Sequence, residues 1–135
     1  SDVCSSDLKT FFSSRKESPI NSTIKVDNIK NYKKEKVDQI TLDSFCEKYG
    51  FFPEIIKIDV EGAEINVLKG AKNIMRKIKP TIYLSIHPRH IKRSGSTIEE
   101  LIDLIDKFDY KIQDFEGNQI RAFKLDEYLL IPKYS

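Results

Sequence analysis

The chain has no tryptophan, one methionine, two cysteines and five glycines in 135 residues. Two cysteines cannot make the multi-bridge framework that staples small secreted domains, nor a cysteine metal centre, and this usage fits a reducing cytoplasm. No G-x-G occurs anywhere, so the glycine-rich turn with which a backbone cradles a cofactor is absent from these residues. No apolar run approaches the roughly 20 residues needed to cross a bilayer, which excludes a spanning helix. The start lacks the charged and then apolar order of a signal peptide. Charge of one sign is scarce too: a net +2 is too small to argue for a nucleic-acid partner. What remains is a soluble, globular composition, 39% hydrophobic and 33% charged, of a length that suits one domain with one core.

The first eight residues, "SDVCSSDL", resemble at every position the translation of a common sequencing-library adapter. Residues 1–8 are therefore set apart as a non-native tail, and residues 9–135 as the domain. Without Cys4, Cys46 is the single cysteine. Along the domain, "KTFFSS" (9–14) and "TIKVDNI" read as strands, and the Lys-rich "KNYKKEK" as a solvated connection. "VDQI" reads as a strand and "TLDSFCEKYG" as a short helix closed by Gly50, with Asp43 near its positive end. A regular alternation follows. "EIIKIDV" is a buried strand; a helix over 62–79 carries Ile65, Leu68, Ala71, Met75 and Ile78 on one face until Pro80 stops it. "TIYLSIH" is a second strand ended by Pro88, and "STIEELIDLIDKF" a helix opened by a Ser or Thr cap. "YKIQDF" is a third strand, "EGNQ" a turn, and "IRAFK" and "EYLLIP" close the chain as strands. The fold class is α/β: a mostly parallel sheet with an antiparallel strand added near the C-terminus.

In such a sheet, ligands bind beyond the carboxyl ends of the parallel strands. "IIKIDVEGAEINVLKG" (55–70) puts Asp59 and Glu61 at that end of one strand, with Gly62 and Glu64 next, and His87 at that end of the following strand. If the two strands are neighbours, these groups converge on one crevice. The acids can serve as general base, as holders of hydroxyls or of a cationic ligand, or as hard metal ligands with the imidazole. Glu61 and Glu64 can equally be charges that support the start of the next helix. Gly62 lets the backbone turn tightly and approach a ligand. His87 can be a base or a satisfied structural residue.

The segment "IIKIDVEGAEINVLKGA", the amphipathic helix after it, the Pro and the strand "TIYLSIHP" resemble the C-terminal half of FkbM-type methyltransferases, and the upstream "VDQITLDSF" is similar to that family's strand and "TLD" element. The resemblance covers residues 37–88 well and the rest loosely. It implies a Rossmann-like fold, S-adenosylmethionine as cofactor, and O-methylation of a hydroxyl on a sugar or secondary metabolite, with a small-molecule or glycan substrate as partner. It implies Asp59, Glu61 and His87 as catalytic, Asp59 and Gly62 as cofactor-binding, Glu61 and Glu64 as substrate-binding, and no metal ligand. Two departures stand out. The family's glycine-rich loop is missing, so these residues are expected to be an N-terminally truncated domain, inactive alone. Ser85 also stands where relatives usually carry glutamate two residues before the histidine. The alternatives are a non-catalytic interaction module or remnant, or a metal-dependent hydrolase using Asp59, Glu61 and His87.

Overall fold

A computed structural model of the chain describes residues 8–13, 21–22, 33–120 and 122–133. Strands β1 (Leu8–Ser13), β2 (Asn21–Ser22) and β3 (Lys33–Asp38) form a three-stranded antiparallel sheet in the order β2-β1-β3. The Lys-rich segment expected as a connection thus contributes most of β3: polarity alone does not exclude a strand. The "TIKVDNI" strand and residues 1–7 lie outside the described residues.

Helix α1 (Leu42–Tyr49) begins where the Thr41 side chain accepts from the Ser44 N–H at 3.1 Å. It ends at Gly50, whose left-handed φ of 61° lets its N–H reach the Cys46 carbonyl, as the sequence expects. Then come β4 (Ile55–Ile58), α2 (Glu64–Lys69), α3 (Lys72–Lys77), β5 (Thr81–Ile86), α4 (Pro88–Arg93), α5 (Ile98–Lys107), β6 (Tyr110–Gln113) and β7 (Asp126–Pro132). Helix α5 opens on Thr97, which accepts from the Glu100 N–H at 3.1 Å.

These elements build a four-stranded sheet in the order β4-β5-β7-β6. β4 and β5 pair in parallel, while β7 runs antiparallel to both of its neighbours, β5 and β6. Strands β4, β5 and β6 therefore point the same way, but the expectation of a mostly parallel sheet fails. The antiparallel strand is inserted between β5 and β6 and not added outside them, so two of the three pairings are antiparallel. "IRAFK" does not form a strand: apart from Arg121, which lies outside the described residues, it is irregular. The β6–β7 connection is tied instead by Asp114, which accepts from the backbone N–H groups of Glu116 and Asn118.

One face of the sheet carries Ile58, Ile82, Leu84, Ile86, Ile112 and Leu130, all buried against Ile65, Leu68, Ala71 and Met75 of the α2–α3 segment and Leu101 and Ile105 of α5. Truncating a fully buried member such as Leu84 to alanine costs about 2–5 kcal/mol, because the vacated volume collapses only in part. Tyr110 is also fully buried, donates its hydroxyl to the Pro80 carbonyl at 2.7 Å, and has its pKa pushed up to about 12 by burial. The expected single helix over 62–79 is two helices broken at Gly70 and Ala71. The break shifts the helical phase, so Ile74 is buried and Ile78 is exposed.

The break has a cause upstream. The Asp43 backbone N–H donates to the Gly70 carbonyl at 2.8 Å, and its carboxylate accepts from the N–H groups of Asn73 and Ile74 at 2.8 and 3.0 Å. Ala71, at the start of α3, has no side chain with which to cap that helix, and Asp43 supplies the cap from another element. A side chain at Gly70 would meet the Thr41 Cβ at 3.1 Å, so glycine is what allows the two segments to close. Among the described residues, no helix is long and apolar enough to cross a membrane.

Candidate active site

β4 ends at Ile58, and the chain leaves the sheet through two successive residues with positive φ, Glu61 at 48° and Gly62 at 107°. Glycine adopts such angles freely. Glutamate does not: a non-glycine residue held there costs about 1–3 kcal/mol, and such strain concentrates at functional sites. Gly62 is buried in this turn, which fits the expectation of a tight backbone bend.

The three acids then part ways. The Asp59 side chain is 51% exposed, Glu61 is half-buried with its Oε2 buried and without a hydrogen-bond partner, and Glu64 is fully buried. β4 and β5 are parallel neighbours with Ile58 opposite Leu84, so residues just beyond their ends come together. His87, between β5 and α4, is where they meet. Its Nδ1 lies 2.7 Å from Glu64 Oε1 and its Nε2 3.5 Å from Asp59 Oδ1, with only 13% of the side chain exposed. One turn along α4, His90 stacks its ring on that of His87, centroids 5.5 Å apart and planes within 5°, and its own Nδ1 is buried without a partner.

The convergence of Asp59 and His87 matches the sequence expectation. The placement of Glu64 does not match a residue that touches substrate. Its carboxylate is sealed from solvent and turned towards the imidazole, leaving Oε2 without a partner. Nor does it cap its own helix: α2 begins at Ala63 with no side-chain cap. Ser85, on the opposite sheet face from the core, is buried and donates to Glu127 Oε1 at 3.3 Å; Glu127 pairs in turn with Lys57 at 3.2 Å. An acid thus stands beside the position where Ser85 replaces one, supplied by β7 directly across the ladder.

His90 and Glu127 escaped the sequence reading. His90 was legible in principle, since proline favours the first helical position and a helix opening at Pro88 puts His87 and His90 one turn apart. Glu127 was not, because its register opposite Ser85 is set by strand pairing. Beyond the ends of β5 and β6 lies a cavity of about 560 Å³, with Phe115, Phe123 and Tyr128 in its wall and Asp114, Asp126 and Glu127 on its lining. Asp126 pairs with Ile86, the residue before His87, so this cavity opens at the same end of the sheet.

An imidazole held between a buried carboxylate and an exposed one can accept and release a proton at Nε2. Among the described residues no group of three or more His, Cys, Asp or Glu is placed to hold a metal ion, and the metal-dependent hydrolase reading gains no support. Among curated proteins and among solved structures, none matches the chain. The family model of the methyltransferase FkbM domain matches residues 2–112, which takes in the strained turn, Glu64 and His87. The chain belongs to the FkbM methyltransferase family.

Proposed function

We propose that the chain is part of an S-adenosylmethionine-dependent methyltransferase that acts on a hydroxyl of a sugar or secondary metabolite. The observation that carries this reading is His87 between Asp59 and Glu64 at the carboxyl ends of β4 and β5. The donor set suits the cofactor: exposed Asp59 offers an acceptor for hydroxyls and for positive charge, beside the tight turn made at Glu61 and Gly62. When bound, the cofactor supplies a methyl group already activated on a sulfonium. The protein's part is then to orient the acceptor oxygen and to take its proton, which His87 does through Nε2. The cavity at the same end of the sheet is lined by none of His87, Asp59 and Glu64; its aromatic and acidic lining suits a polyhydroxylated ligand, whose C–H faces pack on rings while its hydroxyls donate to carboxylates. We read the enzyme as cytoplasmic from its cysteine usage.

Because no G-x-G occurs in these 135 residues, one wall of the cofactor site is assigned to a glycine-rich turn outside them. Calorimetry with S-adenosylmethionine tests both statements. The 135 residues alone should bind weakly at most, and a longer chain that carries such a turn should bind one equivalent tightly. Tight binding by the 135 residues overturns the missing wall. No binding by the longer chain overturns the methyltransferase reading itself.

A further inference from the structure

We propose that Glu64 is the positioning residue of His87: its buried carboxylate holds the imidazole with Nδ1 protonated, which presents Nε2, beside Asp59, as the base. Three observations support this. Glu64 is fully buried, yet spends its carboxylate on a single short contact, 2.7 Å from Oε1 to the His87 Nδ1. Glu64 opens α2 after Ala63, which makes no side-chain cap, and its carboxylate is turned away from the free N–H groups of that helix start and towards the imidazole. Its Oε2 is buried with no hydrogen-bond partner among the described residues, so the contact to His87 is the one that orients this carboxylate.

Chemistry follows from the geometry. A carboxylate only accepts, so the ring nitrogen 2.7 Å from Glu64 carries the hydrogen; in the neutral ring this leaves the lone pair on Nε2, whose carboxylate neighbour Asp59 stands farther off, at 3.5 Å. The titratable groups facing this ring are Glu64 from α2, Asp59 from the end of β4 and His90 from α4. Of these groups, Asp59 is half exposed and Glu64 is fully buried. An acceptor hydroxyl placed beside Asp59 loses its proton to the Nε2 lone pair while the electron pair of the broken O–H bond stays on oxygen. The imidazolium so formed is stabilised by Glu64 and returns the proton to water past Asp59. Glu64 acts through His87 and touches no substrate. That the proton comes from a hydroxyl rests on the methyltransferase reading; the tautomer does not.

The test uses the 135-residue chain with ¹⁵N-labelled histidine. At a pH where the His87 ring is neutral, Nδ1 should be protonated and Nε2 bare, and Glu64→Gln should populate the opposite tautomer, because the amide can donate to Nδ1. A second readout separates positioning from mere anchoring: the rate at which diethyl pyrocarbonate modifies His87, with His90 as internal reference. With the ring neutral in every variant, it should fall in Glu64→Gln, whose bare nitrogen is then Nδ1 facing residue 64, and recover in part in Glu64→Asp, which restores the charge. A bare Nδ1 in the unsubstituted chain overturns the proposal, as does an unchanged modification rate in a folded Glu64→Gln. If that variant does not fold, the tautomer in the unsubstituted chain and the rate in Glu64→Asp decide. Either result is independent of cofactor binding, so a failure here leaves the methyltransferase reading standing, and a failure of calorimetry leaves the tautomer standing.

Discussion

Asp43 and Glu64 each occupy the first turn of a helix, α1 and α2, one residue after its start or at it. Asp43 reaches across to α3 and uses both carboxylate oxygens, one on the N–H of Asn73 and one on that of Ile74. Glu64 uses one oxygen, on an imidazole, and leaves the other buried and unpartnered. The same kind of residue at the same kind of place is a satisfied clamp in one region and a half-satisfied contact in the other. Position on a helix does not separate these two acids; the partners of their oxygens do.

The largest expected effects fall where polar groups are left incomplete. In a chain that carries the glycine-rich turn, His87→Ala and Asp59→Ala should each lower methyl transfer by about 10²–10⁴-fold. Asp59→Ala should leave the thermal midpoint nearly unchanged, because that side chain is half exposed. A large loss of stability in Asp59→Ala would break the comparison by making Asp59 a second clamp. Next in size is the contrast in folding free energy. Glu64→Ala leaves the His87 Nδ1 without its partner and should cost about 1–3 kcal/mol, against about 1–2 kcal/mol for Asp43→Ala, both read from urea denaturation. Equal costs would mean that burial at Glu64 carries no weight.

Gly70→Ala probes the clamp from its other side. The added Cβ sits 3.1 Å from the Thr41 Cβ and 3.3 Å from its Cγ2, and should cost about 1–2 kcal/mol. Thr41→Ser keeps the capping hydroxyl, removes the methyl and should return part of that loss. The smallest effect belongs to the turn after β6. The Asn118 side chain, then its backbone N–H, hold the Asp114 carboxyl below its ordinary value of 3.8. A depressed carboxyl contributes stability above its unfolded value and loses it as pH falls through the folded one. The turn should therefore loosen only below about pH 3.8, followed by the amide signals of Glu116 and Asn118, and Asn118→Ala should flatten that dependence.

Much of the site was legible because it rests on local pattern. An apolar run ending at Asp59, a glycine at position 62 and a second apolar run ending at His87 are enough to bring Asp59 and His87 together, provided the two strands are neighbours, and they are. What Glu64 does was not legible, since its partner is 23 residues away and only the crossover brings them together. The broken helix was unreadable for the same reason: Ile65, Leu68, Ala71 and Met75 keep helical spacing, and the interruption is imposed from Thr41 and Asp43. The direction of β4, β5 and β6 followed from the alternation of strands and helices. The insertion of β7 did not, because pairing partners at long range leave no period in a sequence.

That insertion bears on how the chain can be made. Among the described residues β6 pairs with no strand except β7, so when Gln113 has been synthesised the sheet has an empty lane where β7 belongs. β4 and β5 can zip together early. Among the described residues β6 joins this sheet through Asp126–Pro132 alone, which fills the lane from both sides. Until that strand is made the apolar lane next to β5 is open, and a nascent chain stalled before Asp126 is the form of this protein most exposed to chaperones and to aggregation.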